Sequence, residues 1–295
     1  AWIDSIPVIF ISGQVTRDTL LEGTGVRQFG VQESDIVTLV KPITKYAVTV
    51  KDENEIANTL QHAYRMATTG RPGPVWVDIP LDIQSKQIQI PQLTQWYCES
   101  DSVNADGIDY CLALLRAAQR PVLIVGNGVR PSGAESQIRD LINALGIPVI
   151  SSWTAADMVA DLPYHIGHMG IFGDRASNFT VQNADLLLVI GCRMSVPMIG
   201  YNFSKFGREA KIIMVDVDEA EIKKPSLHVD LPIVADAKAF IVAINAELNR
   251  EPGRHEPSTD FNDAYLVRDW LRRCQEWALK YPVVLPEYRA TVEAE

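Results

Sequence analysis

Small and polar residues follow the apolar runs in the second half of this 295-residue chain, at positions where chemistry could take place. A glycine at the end of a strand lets a ligand approach the backbone, and the start of a following helix favours anions. An arginine behind a buried strand is usually paired or bound to an anion. The segments with this pattern are Gly126-Asn127-Gly128 after PVLIV, Ser152-Trp153-Thr154 after PVIS, Gly191-Cys192-Arg193 after LLLVI, and Asp216-Val217-Asp218 after IIMV.

Taken alone, the Gly126-Asn127-Gly128 turn does not identify a ligand site. It lacks the third glycine of the dinucleotide fingerprint, and about half of such turns in α/β proteins are only tight turns. Ligands of open α/β sheets bind outside the carboxyl ends of the strands. The four segments could therefore line one crevice, and their recurrence favours a binding site.

Strand-like and helix-like segments alternate along the chain. The strand-like runs are rich in Val and Ile and apolar nearly throughout, which indicates strands buried on both faces. Helical periodicity appears in NEIANTLQHAYRMATTG, with Asn54 as a cap and Gly70 as a stop, and again in DYCLALLRAAQ and AFIVAINAEL. This alternation predicts parallel sheets joined by helical crossovers. The runs interpreted as strands are PVIFISG, DIVTLV, PVWVDIP, PVLIVGNG, PVISS, ADLLLVIGC and KIIMVDVD.

The stretch TTGRPGPVWVDIPLDIQ closes the first block. Gly70 ends a helix, the prolines turn the chain, and VWVDI enters a sheet until Pro80 stops it. The polar, Gln- and Ser-rich segment that follows is typical of a linker, and a new helix can be capped near Asp106. The sequence therefore predicts an α/β protein with a first domain over 1–83, a linker over 84–106, a second domain over 107–250 and a helical tail over 251–295. Within the tail, Leu266, Trp270, Arg273 and Trp277 share a helix face that Asp260 could cap.

Composition excludes several classes of function. The formal net charge is -10, so no basic field attracts nucleic acid. No run approaches the roughly 20 apolar residues of a membrane span. The four cysteines show no spacing typical of zinc or of a disulfide framework, so we expect no metal site and a reducing, cytoplasmic compartment.

Motifs over nearly the whole chain resemble the thiamine-diphosphate-dependent enzymes, and acetolactate synthase most closely. AWIDSIPVIFISGQV, VQESDIVTLVKPITKYAVTV and RMATTGRPGPVWVDIPLDIQ are similar to the second half of the pyrimidine-binding domain of that family. VGNGVR, HIGHMGIFG, QNADLLLVIGCRMS and AKIIMVDVDEAEIKKPSLHVDLPIVADAK are similar to its central domain. The resemblance implies a partial pyrimidine domain and a doubly wound central domain, and a role in decarboxylation or carboligation of 2-oxo acids.

The resemblance also implies parts that this sequence lacks. The family's cofactor-protonating glutamate belongs upstream of Ala1, and no GDG motif for magnesium and diphosphate occurs. Thiamine diphosphate and Mg are thus expected only in a full-length parent, which would form a homodimer or homotetramer. In the family, the active site lies at an interface between two chains. We expect this chain to be inactive alone.

The resemblance further assigns candidate site residues. Gln32 falls at the edge of the active site, although it could simply cap the helix-like turn around it. In the central domain, which can hold FAD or ADP in this family, Arg193 falls near phosphates or the flavin edge and Asp216 near a ribose hydroxyl. His168 could be only a hydrogen-bonding spacer, Asp236 only a helix cap, and Trp153, with Trp2 and Trp76, core packing. The cofactor-binding candidates are Gly126, Asn127, Gly128, Ser152, Trp153, His168, Met169, Gly170, Gly191, Arg193, Asp216, Val217, Asp236 and Ala237.

Some positions depart from the acetolactate synthase pattern. Val31 stands where those enzymes have Phe before the active-site Gln, and Leu81 stands where they have Lys. Ser195 and Val196 replace an acidic pair, and Pro197 replaces an arginine. Two other functions therefore stay open, a stand-alone nucleotide-binding module and a structural or oligomer-forming protein.

The missing motifs lead to a first prediction. We expect this chain alone neither to decarboxylate pyruvate nor to bind thiamine diphosphate with useful affinity, because the groups that hold the diphosphate and protonate the ring are absent from its sequence. Calorimetric titration with thiamine diphosphate and magnesium measures this, with magnesium alone as the blank. Micromolar binding would contradict it.

Overall fold

The chain forms two compact units in a computed structural model that describes residues 1–89, 104–250, 264–285 and 287–288. The first unit covers residues 1–99 and the second covers 100–295. Each unit contains one parallel sheet, so the predicted α/β class with two parallel-sheet domains is confirmed. The exact domain limits proposed above stay a prediction.

The sheet of the first unit has three parallel strands in the order β1-β3-β2. PVIFISG and PVWVDIP are neighbours in it, as expected, with Ile9 opposite Val75. The strands are β1 (Ile9–Gln14), β2 (Tyr46–Thr49) and β3 (Val75–Pro80), and the helices are α1 (Ile36–Val40), α2 (Ile56–Thr68) and α3 (Leu81–Gln84).

Two local predictions for this unit are wrong. DIVTLV forms α1 instead of a strand, because the Asp35 side chain accepts a hydrogen bond from Thr38 N at 3.0 Å and caps the helix. Asn54 does not cap α2. It lies in a short 3-10 turn before the helix, where its own N–H donates to the Asp52 carboxylate.

A buried carboxylate joins the three strands of this sheet. Asp78 of β3 is 1% exposed. Its side chain accepts from Ser12 Oγ at 2.6 Å and from Gln14 Nε2 at 3.0 Å, both on β1, and from Thr49 Oγ1 at 3.2 Å on β2. β3, which ends at Pro80, therefore carries a buried carboxylate that is hydrogen-bonded to both neighbouring strands.

The second unit contains six parallel strands in the order β6-β5-β4-β7-β8-β9. The predicted six-stranded sheet is confirmed. The short strands β6 and β9 did not stand out in the sequence because one contains a glycine and the other a proline. The strands are β4 (Pro121–Val125), β5 (Val149–Ser151), β6 (His165–His168), β7 (Leu186–Ile190), β8 (Lys211–Asp216) and β9 (Leu231–Val234). The helices are α4 (Ala105–Ala117), α5 (Glu135–Leu145), α6 (Ala156–Val159), α7 (Arg175–Asn183), α8 (Val196–Ile199), α9 (Glu219–Ile222), α10 (Ala237–Arg250) and α11 (Ala264–Lys280).

Helices cover both faces of this sheet. Leu186, Leu188 and Ile190 of β7 pack in the layer that contains α4, α5 and α10. Leu187 and Val189, which alternate with them, pack in the layer that contains α7 and α11. Successive side chains of a strand point to opposite faces, so a strand that is apolar throughout needs both layers. The doubly wound fold is confirmed.

The predicted last helix is observed as α11, and Trp270 and Trp277 of its expected face pack in the core. Trp270 and Cys274 of α11 are buried and Trp277 packs beside them, but the Arg273 side chain is 62% exposed. Asp260 and the Leu266 side chain lie outside the described residues. None of the helices in the described ranges is long and apolar enough to cross a membrane.

The buried carboxylate leads to a stability prediction. We expect Asp78→Ala to lower the free energy of unfolding of the first unit by about 1–3 kcal/mol, because three side-chain donors lose their acceptor. Urea denaturation followed by tryptophan fluorescence measures this change. Asp18, an exposed carboxylate of the same unit, is the control, and Asp18→Ala should stay within about 0.5 kcal/mol of wild type. Equal effects of the two substitutions would contradict the role of Asp78.

Candidate active-site crevice

The six-stranded sheet has one topological switch point, between β4 and β7. The chain passes from β4 to β5 and β6 on one side, and then from β7 to β8 and β9 on the other. In parallel sheets the loops at such a point diverge and leave a crevice at the carboxyl edge. The predicted residues of the second unit all lie at or just beyond this edge, at Gly126 to Gly128, Ser152 and Trp153, His168 to Gly170, Gly191 and Arg193, Asp216 and Val217, and Asp236 and Ala237.

The turns after β4 and β7 touch each other at the switch point. A Cβ on Gly126 would lie 2.1 Å from the Gly191 carbonyl oxygen, and one on Gly128 would lie 2.9 Å from Gly191 Cα. Gly128 N donates to that same carbonyl at 2.9 Å. The immediate reason for glycine at these positions is therefore the neighbouring turn. Approach of a ligand to their backbone stays a prediction.

Arg193 extends from the second of these turns. Its side chain is half-buried and forms no hydrogen bond or ion pair with any residue that the structure describes. The backbone is fixed nearby, because Lys224 Nζ donates to the Arg193 carbonyl and also pairs with Glu221 at 3.1 Å. A guanidinium at the carboxyl edge with no partner in the described part of the chain is chemically suited to bind an anion.

The neighbouring Cys192 adds no charge to the crevice. Burial raises the pKa of its thiol to about 11, so at neutral pH the side chain is a neutral thiol and a poor nucleophile. Its sulfur lies 3.7 Å from Met198 Sδ, inside the core. Within the described part of the chain, no three His, Cys, Asp or Glu side chains gather as a metal site requires.

Asp216 ends β8 with a carboxylate that is only 9% exposed. Its Oδ1 accepts from Asp218 N at 2.9 Å, and Asp218 in turn accepts from Ala220 N to cap α9. Val217 lies between them, so the chain turns here within two residues. A buried carboxylate at a strand end is suited to accept a hydrogen bond from a ligand hydroxyl.

Asp236 caps a helix through its side chain. Its Oδ1 accepts from Lys238 N at 2.9 Å and from Ala239 N at 3.2 Å, so it caps α10, whose first residue is Ala237. The capping alternative raised from the sequence is therefore observed. A contact from Asp236 to a ligand stays a prediction.

A buried hydroxyl connects two histidines at the β5–β6 side of the edge. Ser151 Oγ lies 3.0 Å from His165 Nε2 and 2.9 Å from His168 Nδ1. Burial lowers the pKa of His165, and the nearby His168 lowers it further. The sequence indicated His168 but not Ser151 or His165. The repeated histidine in the HIGH segment was the available signal.

The loop after β6 is held firmly and presents aromatic side chains. Gly170 N donates to Asn178 Oδ1 at 2.8 Å, and Ile171 N donates to the Pro197 carbonyl at 2.8 Å. Met169 is buried beneath the loop. Phe172, 74% exposed, lies 5.5 Å from the ring of Trp153.

Two of the tryptophans expected in the core are instead well exposed. Trp153 is 52% exposed and Trp2 is 46% exposed, so core packing was the wrong interpretation for both. Trp153 follows a strand end directly, and its ring therefore lies beyond the sheet. Trp76 stacks on Phe10 at 5.0 Å.

Gln32 belongs to the first unit, and its side chain is exposed. It does not cap the following helix, since Asp35 does. Its neighbour Glu33 is 7% exposed, and a hydrogen bond from the Gly30 backbone lowers the pKa of the Glu33 carboxyl. The Glu33 carboxylate is thus held by the backbone of its own loop, whereas the Gln32 side chain next to it is exposed. Its role in an active site stays a prediction.

Comparisons with known proteins agree with this architecture. The family model described as the central domain of thiamine pyrophosphate enzymes matches residues 108–244. The chain is 37% identical over 260 residues to a probable acetolactate synthase large subunit of Methanocaldococcus jannaschii, covering 84% of this chain and 42% of that protein. It is 30% identical over 292 residues to the acetolactate synthase isozyme 3 large subunit of Escherichia coli, covering 95% and 48%.

A third relative, the acetolactate synthase of Mycobacterium leprae, is 37% identical over 253 residues, covering 84% of this chain and 39% of that protein. The chain thus spans less than half the length of these relatives. Their similarity extends over both units, and the family model falls within the doubly wound second unit. The second unit therefore matches the central domain of thiamine pyrophosphate enzymes, and the chain as a whole is similar to acetolactate synthase large subunits.

Proposed function

We propose that this chain is part of a thiamine-diphosphate-dependent enzyme that decarboxylates and joins 2-oxo acids, as the names of its relatives suggest. Thiamine diphosphate, when bound, supplies a ring that accepts the electron pair left by decarboxylation. Gln32, on its outward-facing loop, is the residue of this chain that we assign to the edge of that active site. We assign no described residue to thiamine diphosphate itself or to magnesium.

Within this function, we propose that the carboxyl edge of the second unit binds FAD or ADP. Two side chains at the ends of the adjacent strands β7 and β8 support it most directly. The Arg193 guanidinium has no hydrogen-bond or ion-pair partner among the described residues, and the Asp216 carboxylate is buried. Phosphates require a cation and ribose hydroxyls favour a carboxylate acceptor. Arg193 is therefore assigned to the phosphates and Asp216 to a ribose.

The residues that depart from the acetolactate synthase pattern are compatible with the backbone structure of this crevice. Ser195 precedes α8 and Pro197 lies in its first turn, where proline is well tolerated. The Pro197 carbonyl accepts the hydrogen bond from Ile171 N that fixes the loop after β6. The substituted segment thus supports the rim of the crevice through its backbone, which no change of side chain removes.

The first unit supports the proposal of an oligomeric enzyme. β1 is an edge strand on which Ile9, Phe10 and Ile11 are 36%, 39% and 61% exposed. An exposed apolar edge strand is normally covered by another segment or another chain. We therefore propose a homodimer or homotetramer for the full-length protein. The buried free cysteines Cys111, Cys192 and Cys274 support a reducing compartment such as the cytoplasm.

The crevice leads to a prediction about nucleotide binding. We expect FAD or ADP to raise the denaturation midpoint of the wild-type chain, and Asp216→Ala to weaken the bound nucleotide by about 1–3 kcal/mol through loss of a charge-assisted hydrogen bond. Arg193→Ala should weaken it at least as much. Thermal denaturation with each nucleotide, together with direct titration, measures both effects.

Asp185→Ala is the matched control for these variants, because Asp185 precedes β7 at the opposite edge of the sheet. Its carboxylate accepts from Gln119 N and Arg120 N at 2.8 Å, so its removal should lower stability by about 1–2 kcal/mol while leaving nucleotide affinity close to that of wild type. A lack of any midpoint shift at a large excess of both nucleotides would rule out the binding function and leave the second unit with a structural role.

A further inference from the structure

Arg193 is followed by a residue with an uncommon backbone conformation. Met194 has a φ of +48°, in the left-handed region, and its side chain is fully buried. Among the described residues other than glycine, only Ser5 also has a positive φ. A Cβ makes this conformation costly, so it persists only where the surrounding structure holds it. The loop that carries Arg193 therefore needs other groups to keep it in place.

The residues on both sides of Arg193 are anchored in the core. Cys192 and Met194 are 3% and 0% exposed and pack in the layer that contains α7 and α11. Arg193, between them, is only half-buried. Packing of the neighbours does not by itself fix the peptide group between Arg193 and Met194, because its orientation depends on ψ of Arg193 and φ of Met194.

A mostly buried ion pair holds that peptide group. Lys224 Nζ donates to the Arg193 carbonyl and lies 3.1 Å from Glu221 Oε2. The Lys224 and Glu221 side chains are only 19% and 17% exposed. A lysine head has three donors, and its charge strengthens the hydrogen bonds that it makes. Lys224 therefore fixes the Arg193 carbonyl from the segment that follows α9.

The bond from Lys224 opposes relaxation of Met194. If φ of Met194 changed to a negative value, the peptide plane between Arg193 and Met194 would rotate, and the Arg193 carbonyl would turn away from the ammonium. Lys224 would then lose a charge-assisted hydrogen bond at a position that water reaches poorly. The left-handed turn at Met194 is thus maintained by the lysine.

The segment of Lys224 also contacts the second residue of the proposed nucleotide site. Asp218, which caps α9 through its side chain, donates its backbone N–H to Asp216 Oδ1. Arg193 follows β7, and Asp216 ends the adjacent strand β8. Residues 218–224 therefore touch both the Arg193 loop and the Asp216 carboxylate.

We propose that Lys224 is a positioning residue, which holds the peptide group after Arg193 so that the guanidinium is presented to the phosphates of the ligand. Lys224 is not assigned to the phosphates, because its ammonium already has the Arg193 carbonyl and the Glu221 carboxylate as partners. The Arg193 guanidinium has no such partner among the described residues. The phosphate half of this assignment rests on the proposed nucleotide function, but the bond from Lys224 to the loop does not.

Hydrogen exchange of the ligand-free protein, measured by mass spectrometry, tests the hold on the loop alone. We expect Lys224→Met to speed exchange in residues 192–196 roughly fivefold, the effect of one lost hydrogen bond on local opening. Lys223→Met is the matched control, because it removes the same charge from the adjacent residue, whose side chain is 70% exposed and pairs with Glu219. It should leave exchange in the loop unchanged. Unchanged exchange in Lys224→Met would overturn the proposal.

Two further variants separate a hold on this loop from a general loss of stability. Lys224→Arg keeps a cationic donor and should retain most of the wild-type protection. The double variant of Lys224→Met with Glu221→Gln leaves no buried carboxylate without its cation, and it takes the place of Lys224→Met if that variant does not fold. Exchange that rises equally throughout the second unit would indicate a structural role only and would overturn the positioning role.

A double-mutant cycle tests the phosphate half. We expect Lys224→Met to weaken binding of FAD or ADP roughly threefold to tenfold, and Lys224→Arg to restore most of the affinity. In the Arg193→Ala background, Lys224→Met should change the affinity by less than about twofold, because the residue that it positions is already absent. Isothermal titration of the four proteins measures the cycle.

The outcomes of the cycle are distinct. An equal loss with and without the Arg193 side chain would mean that Lys224 acts on the ligand independently of Arg193, and would overturn the positioning role. Failure of the wild-type chain to bind either nucleotide would instead overturn the proposed nucleotide function and the phosphate half with it. The exchange data would still decide whether Lys224 holds the loop.

Discussion

The contact between the turns that follow β4 and β7 is the constraint on which the second unit depends. Gly128 N donates to the Gly191 carbonyl, and neither turn has room for a Cβ at its closest point. The two halves of the sheet diverge from this contact, and the loops after β5, β6 and β8 are placed relative to it. Arg193 and Asp216 can therefore be held at one edge although they follow different strands.

The rim of the crevice depends on backbone hydrogen bonds more than on particular side chains. The loop after β6 is held by the Asn178 amide and the Pro197 carbonyl, and α9 is capped by Asp218. These backbone contacts explain how the rim is held although Ser195, Val196 and Pro197 depart from the acetolactate synthase pattern. The Arg193 guanidinium forms no hydrogen bond or ion pair with the residues that the structure describes, which is the reason for assigning it to a ligand in the proposal.

Much of the architecture was predictable from the sequence because long apolar strands have no other way to be buried. Leu186 to Ile190 are apolar in succession, and such a run requires helices on both faces of its sheet. DIVTLV was misread because the same residue types also fill a short helix, and the Asp35 cap, a tertiary detail, decided between the two. Gly126, Arg193 and Asp216 were predictable from their places after strands. Ser151 and His165 were not, because their contact depends on the register of β5 against β6, with Val149 opposite His165, and sequence spacing does not reveal that register.

The buried carboxylate of the first unit has a consequence for how that unit folds. Asp78 meets Ser12, Gln14 and Thr49 across separations of 66, 64 and 29 residues. Until all three strands are present, its charge is either hydrated or incompletely bonded, and burying it in that state is costly. Partly assembled sheets of two strands are thus penalised. We therefore expect the three strands to form in one cooperative step. This step should come late in folding, because the contacts of Asp78 join residues that are distant in the chain.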